Sequence, residues 1–297
     1  MNNSKSAFIR TISVNLCSIF LLVFVSICSL LNSTIINIPA DQPTIQAGID
    51  AAANGDTILV HSGRYFENID FVGKAITVAS LYLTEEDESY IHNTIIDGNQ
   101  NGSCAKFISG EQNDSVLNGF TMEHGTGTED YLYGDLVGGG IYVFNSSPTI
   151  EYCIIQNNEA HAGGGLCSAC TWEEGYSAPY LKQCTIRYNH AFDWAGGIST
   201  LFQSTVYFDE DYLCNIYLNT ASRCNDLGGS GIMDEPIIAY IDTFTVENVT
   251  NFFYDNSYAN DQIYINHAKV IPINQDLYVS PSGDDNNSGT TADEPLQ

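Results

Sequence analysis

An eight-residue pattern, C-x-I-x-x-N-x-A, occurs three times in the middle of the chain, beginning at Cys153, Cys184 and Cys214. The copies follow one another at intervals of about 30 residues, and a fixed period of this size is typical of solenoids. Within each copy apolar and polar residues alternate, which predicts a short half-buried strand rather than a helix. We therefore predict a coil of short strands and turns, stacked about 4.8 Å apart.

Stacking of the copies predicts two columns of equivalent residues. The three cysteines form an inward column, in which free thiols pack as small apolar side chains. Disulfides or a metal site are the alternative for this column. The second column is a turn ladder of Asn158, Asn189 and Asn219, whose amides can hydrogen-bond from coil to coil. Asparagine also tolerates the left-handed backbone of a sharp corner, and we expect these three residues to adopt it.

A different pattern precedes the repeats. Ile45, Ile49 and Ala52 lie on one helical stripe, with Pro43 in the first turn and Asn54-Gly55 at the end. We predict an amphipathic helix there that covers the first apolar coil, followed by a strand from Thr57 to Val60.

These residues carry a resemblance. The stretch from residue 38 to 80 (IPADQPTIQAGIDAAANGDTILVHSGRYFENIDFVGKAITVAS) is similar to the cap and first coil of bacterial secreted right-handed parallel β-helix proteins, which share the pectin-lyase-like fold. Residues 94–103 and 138–158 resemble their later coils, so the similarity spans residues 36–233. It implies an all-β, right-handed parallel β-helix with a short N-terminal capping helix. It implies no single function, because this fold carries lyases, hydrolases and adhesins.

The ends of the chain predict its compartment and domains. Lys5 and Arg10 precede an apolar run from residue 14 to 31, so residues 1–33 are typical of a secretory signal peptide, with an uncleaved anchor as the alternative. We predict a secreted or cell-surface protein with a β-helix domain over residues 34–275. Residues 276–297 resemble the start of a second β-helix cap, which indicates a fragment of a longer protein.

Charge excludes several partners. The formal net charge is −27, whereas nucleic-acid binding needs a basic face and anionic membrane surfaces attract basic segments. We therefore expect no nucleic-acid partner and no membrane contact except through the N-terminal segment.

For catalysis, the resemblance implies two chemistries. Lyases of this fold use calcium held by carboxylates and an Arg or Lys base, and here Arg187 is the best candidate, in one column with Glu123, Gln156 and Tyr217. Hydrolases of this fold use clustered aspartates and a Gly-His-Gly element, of which the chain has only His124-Gly125, and no paired aspartates fall on the repeat columns.

Glu159 and His190 form a further candidate pair at equivalent positions on adjacent coils. They are either a general acid/base pair or a surface ion pair. We assign no catalysis to the chain, and the alternative function is a polysaccharide lyase or glycoside hydrolase.

Binding is the function we expect. Aromatic residues alternate with acids in three loops between the repeats, and they are Tyr131, Tyr133, Trp172, Tyr176 and Trp194. Insertions in repeat proteins map to one face, and aromatic rings stack on sugars while carboxylates bond hydroxyls or calcium. Alternatively, the rings pack on one another as small satellite cores. We predict a structural, adhesive or glycan-binding protein whose partner is an extracellular glycan or a surface protein, with calcium as a possible ligand and no required cofactor.

Overall fold

The computed structural model describes residues 33–130, 134–171, 176–229, 237–244, 253–254, 262–267 and 280–281. The predicted signal peptide and almost all of residues 276–297 lie outside the described residues. Over the part that is described, no helix combines the length and apolar character needed to cross a membrane. The described strands form four sheets, which we call A, B, C and D, and nearly all neighbouring strands are parallel.

Sheets A and B each gain about one strand per coil. Sheet A contains, in spatial order, β1 (Ile35–Ile38), β2 (Thr57–Val60), β5 (Thr77–Ser80), β8 (Val116–Asn118), β13 (Thr149–Glu151), β17 (Tyr180–Lys182) and β21 (Tyr207–Phe208). Sheet B contains β3 (Gly63–Phe66), β6 (Thr94–Asp97), β9 (Thr121–Glu123), β14 (Ile154–Gln156), β18 (Thr185–Arg187), β22 (Cys214–Tyr217), β25 (Ile238–Phe244) and β27 (Gln262–His267).

Sheets C and D complete the coil. Sheet C contains β4 (Ile69–Asp70), β7 (Ala105–Phe107), β12 (Ile141–Phe144), β16 (Leu166–Ala169), β20 (Ile198–Leu201), β24 (Leu227–Gly229) and β26 (Phe253–Tyr254). Sheet D contains β10 (Thr128–Glu129), β11 (Leu136–Val137), β15 (Glu159–Ala162), β19 (His190–Trp194) and β23 (Thr220–Arg223). Only the β10–β11 pair is antiparallel among the described strand pairs. The prediction of a parallel solenoid of short strands is confirmed.

The strand register follows the sequence repeat. Ile155 pairs with Ile186 between β14 and β18, and Ile186 pairs with Ile216 between β18 and β22. Inward side chains from sheets A, B and C form one hydrophobic core that contains Ile38 at one end and Phe244 at the other. The stacked apolar side chains of successive coils therefore bury one another along the axis of the solenoid.

The cysteine column lies in this core. Cys153, Cys184 and Cys214 are buried free thiols, and the backbone N–H of Cys184 donates to Sγ of Cys214 at 3.4 Å. Burial raises the pKa of the Cys153 and Cys214 thiols, so both stay protonated and neutral.

The asparagine column forms a hydrogen-bonded ladder. Nδ2 of Asn158 donates to Oδ1 of Asn189 at 3.1 Å, and Nδ2 of Asn189 donates to Oδ1 of Asn219 at 3.0 Å. All three side chains are buried. The expectation that these residues are left-handed is wrong, because the positive φ angles belong to the residues just before them. These are Asn157 (54°), Tyr188 (56°) and Leu218 (56°). At each corner the left-handed residue is therefore the one before the ladder asparagine. The asparagines themselves contribute side-chain hydrogen bonds between the coils.

Within the described residues, three short helices accompany the sheets: α1 (Ile45–Ala51), α2 (Tyr82–Glu85) and α3 (Ser89–Asn93). Helix α1 is the predicted cap, with Ile45, Ile49 and Ala52 buried. It begins two residues after Pro43, because Oγ1 of Thr44 accepts from the N–H of Ala47 as the N-cap.

Candidate functional site

Three tyrosines form a ridge at the corner between sheets A and B. Tyr82, Tyr152 and Tyr212 each follow a strand of sheet A, namely β5, β13 and β21. Each of these strands is two coils from the next. The ring centroids of Tyr82 and Tyr152 are 5.0 Å apart, and those of Tyr152 and Tyr212 are 6.5 Å apart. Gly119 lies on the coil between Tyr82 and Tyr152, where a Cβ atom would come within 3.0 Å of Cβ of Tyr82. The glycine therefore leaves room for the ridge.

A groove of about 460 Å³ runs beside this tyrosine ridge on the outer face of sheet A. We call it the corner groove, and its walls are Tyr82, Leu83, Glu86, Asn118, Glu151, Tyr152, Lys182, Gln183 and Tyr212. Asn118, Glu151 and Lys182 are register partners on β8, β13 and β17. The volume falls within the usual range of small-ligand sites, roughly 300–1,000 Å³.

Asn118 carries an unsatisfied polar atom in this groove. The side chain is only 3% exposed, and its Nδ2 donates to Oε1 of Glu151 at 2.7 Å. Its Oδ1 is buried and has no hydrogen-bond partner among the described residues. A buried polar atom without a hydrogen-bond partner lowers the free energy of unfolding by about 1–3 kcal/mol. Most buried polar atoms in proteins are therefore paired. The atom is enclosed by protein beneath the wall of the groove, so this cost is borne by the fold and is not relieved by a ligand in the groove.

Lys182 is the only basic residue among the described walls of the corner groove. Its Nζ lies 4.2 Å from the ring centroid of Tyr212 and 5.5 Å from that of Tyr152, which are cation–π distances. The same Nζ is 3.9 Å from Oε2 of Glu151. The lysine is thus held between the two rings and a carboxylate.

A second groove of about 250 Å³ lies on the other side of the ridge and contains the predicted candidate Arg187. The register places Arg187 beside Gln156 and Tyr217, as the sequence indicated. Nε of Arg187 donates to Oε1 of Gln156 at 3.1 Å, and its Nη1 donates to the hydroxyl of Tyr217 at 3.0 Å. Nε2 of Gln156 donates in turn to Glu123 at 3.3 Å. Arg187 is therefore held by neutral oxygens in a chain of hydrogen bonds.

That column ends in a charged cluster that the sequence did not indicate. Asp97 and Glu123 are register partners on β6 and β9, and both are buried. The guanidinium of Arg64 bridges their carboxylates, and Nδ1 of His124 lies 3.1 Å from Oδ2 of Asp97. Burial acts to raise the pKa of Asp97, but hydrogen bonds from Asn99, His124 and Arg64 outweigh it and hold that pKa below its ordinary value.

Asp97, Glu123 and His124 could hold a metal ion, since their ligand atoms lie within 4.8 Å of one another. The guanidinium of Arg64 already bonds both carboxylates, however, and supplies the positive charge that a cation would bring. The arrangement is a paired network of buried charges, and it fits a metal ion only if Arg64 moves away.

The structure does not bring Glu159 and His190 into an acid/base pair. They are register partners on β15 and β19, and both border a cavity of about 240 Å³ that His124 also lines. However, Nδ1 of His190 lies 2.9 Å from Oγ1 of Thr220, on the next coil. No ion pair joins Glu159 to His190 in the described part of the chain. The ring nitrogen is engaged by the hydroxyl instead of the carboxylate.

The predicted aromatic flank is only partly described. Tyr131, Tyr133 and Trp172 lie outside the described residues. Trp194 borders a cavity of about 310 Å³ and packs on a second hydrophobic cluster on the outside of sheet C. The guanidinium of Arg223 lies 4.8 Å from its ring centroid. Tyr176 does not line this cavity, and its hydroxyl lies 2.7 Å from that of Tyr207. Trp194 is thus part of a small second hydrophobic core. This is the alternative interpretation given above for the aromatic residues of the loops.

Sequence reasoning missed the corner groove altogether. The one available signal was the residue before the repeat cysteines, which is Tyr in the first copy (Tyr152). Tyr82 is the first residue of the inserted helix α2, and Tyr212 is two residues before its cysteine, so no fixed spacing connects the three rings.

The strand pairing and the capping helix define the class of the protein, an all-β parallel β-helix with a short N-terminal cap. No family model and no curated protein matches the sequence. Among solved structures, the chain is similar to a pectin methylesterase from carrot, with 15% sequence identity and a TM-score of 0.37. That similarity covers 79% of this chain and 80% of the other.

Proposed function

We propose that this β-helix is a glycan-binding protein and that the corner groove is its binding surface. The observation that carries the proposal is the tyrosine ridge beside an open groove of about 460 Å³, whose successive ring centroids are 5.0 and 6.5 Å apart. The adjacent tyrosine ridge offers aromatic faces, on which the C–H face of a sugar ring can stack.

The groove lies along the outside of stacked coils, and this supports a polymer as the ligand. Asn118, Glu151 and Lys182 occupy three consecutive strands, so their Cα atoms span about 10 Å along the axis of the solenoid. The predicted export of the chain supports the same function, because it would expose the groove to extracellular glycans. A structural or adhesive role would follow from binding such a polymer.

The test is native gel electrophoresis of the purified chain through gels that contain one soluble polysaccharide each. The polymers are hydroxyethyl cellulose, galactomannan, glucomannan and polygalacturonate, each with calcium and with a chelator. We expect at least one neutral polymer to retard the chain. We expect Tyr152→Ala and Tyr212→Ala to weaken that retardation at least fivefold, since each removes about 1 kcal/mol of aromatic contact.

The matched control is Tyr264→Ala. Tyr264 is as exposed as Tyr212 and also packs on a second tyrosine, Tyr240, at 5.3 Å. It is not part of the corner groove, so its variant should migrate as the parent chain does. The proposal fails if no polymer retards the chain, or if Tyr264→Ala weakens binding as much as Tyr212→Ala. Size-exclusion profiles of the polymers test the alternative, because a lyase or hydrolase would shorten them.

A further inference from the structure

A second cavity, of about 310 Å³, has walls that come from sheets C and D. Its volume falls within the usual range of small-ligand sites, roughly 300–1,000 Å³. It shares no described wall residue with the corner groove, so it is a separate site. We propose that this cavity, which we call the acidic cleft, binds a small organic ammonium ion, that is, a cationic head group on an apolar body.

One side of the acidic cleft is apolar. Val137, Ala162 and Trp194 of sheet D line it together with Leu201 at the end of β20 and the adjacent Phe202. All five belong to the second hydrophobic cluster on the outside of sheet C or pack against it. This side therefore offers a surface on which the apolar body of a ligand can leave water.

The other side of the cleft carries more acidic than basic groups. Three carboxylates line it, those of Asp130, Asp135 and Asp193, against the guanidinium of Arg223 and the imidazole of His161. The guanidinium is already engaged, because Nε of Arg223 donates to Oδ1 of Asp193 at 3.0 Å. The charge of the other two aspartates thus lies in the cleft without a lysine or arginine among its described walls.

These two aspartates face each other at the end of the β10–β11 hairpin. The backbone N–H of Asp130 donates to the carbonyl oxygen of Asp135 at 2.7 Å, directly beyond the last pair of the two strands. Because side chains alternate along a strand, both lie on the face of Val137, and all three line the cleft. Like charges directly opposite one another on neighbouring strands are destabilising. A cation between the two carboxylates would relieve this repulsion.

The carboxylate pair extends from the floor of the cleft to its mouth. Asp130 is only 3% exposed, and its Oδ1 accepts from the hydroxyl of Tyr142, a neutral donor, at 3.1 Å. The side chain of Asp135 is 48% exposed, and its Oδ2 is 3.5 Å from Nδ1 of His161, beyond the usual length of a hydrogen bond. An ammonium group entering from solvent would therefore meet Asp135 first and Asp130 at depth.

The indole of Trp194 indicates the same class of ligand. The guanidinium of Arg223 lies 4.8 Å from its ring centroid, so this wall already stabilises a cation. The guanidinium also occupies a ring face on which a sugar would stack. The formal net charge of −27 attracts cations and repels anions over the whole surface. Charge and apolar surface together favour an organic cation over a sugar or an anion.

The test is isothermal titration calorimetry of the purified full chain with four probes. Phenethylammonium has both the cation and the apolar body, phenethyl alcohol lacks the charge, phenylpropionate reverses it, and methylammonium lacks the body. We expect phenethylammonium to bind one to one and each of the other three to bind at least tenfold more weakly. We expect added sodium chloride to weaken the binding of phenethylammonium, since charge attraction contributes to it.

A pair of variants locates the effect. Asp135→Asn removes one of the two charges, keeps the shape of a half-exposed side chain, and should lower the affinity for phenethylammonium at least fivefold. Its binding of phenethyl alcohol should not change. Asp114→Asn is the matched control, because it makes the same change of charge at an exposed residue outside the cleft. That variant should bind phenethylammonium as the parent chain does.

Three outcomes would overturn the inference. Phenethyl alcohol that binds as tightly as phenethylammonium would show that the cleft recognises shape and not charge. An equal loss of affinity in Asp114→Asn and Asp135→Asn would assign the attraction to the net charge of the chain. Phenethylammonium that does not bind at millimolar concentration would show that the cleft is not a site for such ions. None of these measurements uses a polysaccharide, so they are independent of the test of glycan binding.

Discussion

At the scale of single residues, the asparagine ladder holds the coils in register through side-chain amides. Asn189 shows how fully such a residue is used. Its Nδ2 donates to the carbonyl oxygen of Ile155 at 2.9 Å and to Oδ1 of Asn219 at 3.0 Å. Its Oδ1 accepts from both the backbone N–H and Nδ2 of Asn158, each at 3.1 Å. Both the donor and the acceptor groups of the buried amide are therefore satisfied, each by an adjacent coil.

We expect Asn189→Ala to destabilise the fold by about 3 kcal/mol, because it leaves buried groups of Asn158 and Ile155 without partners. Urea unfolding followed by tyrosine fluorescence measures this as a lower midpoint. Asn215→Ala is the control, since Asn215 lies on the outer face of β22 and is only half-buried. Equal midpoints for the two variants would show that the ladder adds nothing to stability.

At the scale of elements, the turns between sheets D and C are built so that backbones touch. Gly139, Gly164 and Gly196 stack in one column, and a Cβ atom at each would come within 2.4 Å or less of a backbone oxygen on an adjacent coil. Since real Cβ atoms essentially never come closer than 3.0 Å to such an atom, only glycine fits. The glycine clusters that follow the repeats are thus required by coil spacing.

We expect Gly164→Ala to destabilise the solenoid by at least 1–3 kcal/mol, the usual cost of overpacking. The obstacle is the carbonyl oxygen of His190, 2.3 Å from the added Cβ, and it belongs to a backbone that cannot turn aside. Gly63→Ala is the control, because its nearest neighbour is the ring of Tyr65 at 3.4 Å. Circular dichroism melting curves of both variants test this, and a melting temperature for Gly164→Ala close to that of Gly63→Ala would contradict it.

Elements also show how far the sequence predicts the molecule. The spacing from Cys153 to Cys184 predicts the pairing of Ile155 with Ile186, because consecutive coils must align equivalent residues. The same logic fails for the charged cluster. Asp97 and Glu123 are register partners although only 26 residues separate them, and the repeat column that contains Glu123 was not extended to Asp97. The corner groove is not predicted by the repeat for the same reason, since loops of unequal length precede Tyr82, Tyr152 and Tyr212. Periodic contacts are predictable from sequence, and contacts made by insertions are not.

At the scale of the whole molecule, the core is one continuous column, and its thiols report on its opening. Seven free cysteines are described, all of them buried, and they extend along the solenoid from Cys104 to Cys224. Cys104 lies nearest the end that α1 covers, while Cys224 lies toward the other end and is the most exposed of the seven, at 9%. In a solenoid each coil contacts only its neighbours, so opening can start at an end and propagate.

We therefore expect thiol labelling to run along the axis from the C-terminal side. The chain would be held in urea below its unfolding midpoint and pulsed with N-ethylmaleimide, and the labelled peptides identified by mass spectrometry. Cys224 and Cys214 should react first, then Cys184 and Cys153, and Cys104 last. Without urea all seven should react slowly, since burial removes access and raises the pKa of Cys104 to about 12, which suppresses the reactive thiolate. Labelling of all seven at one common rate would instead show that the coils open together as a single cooperative unit.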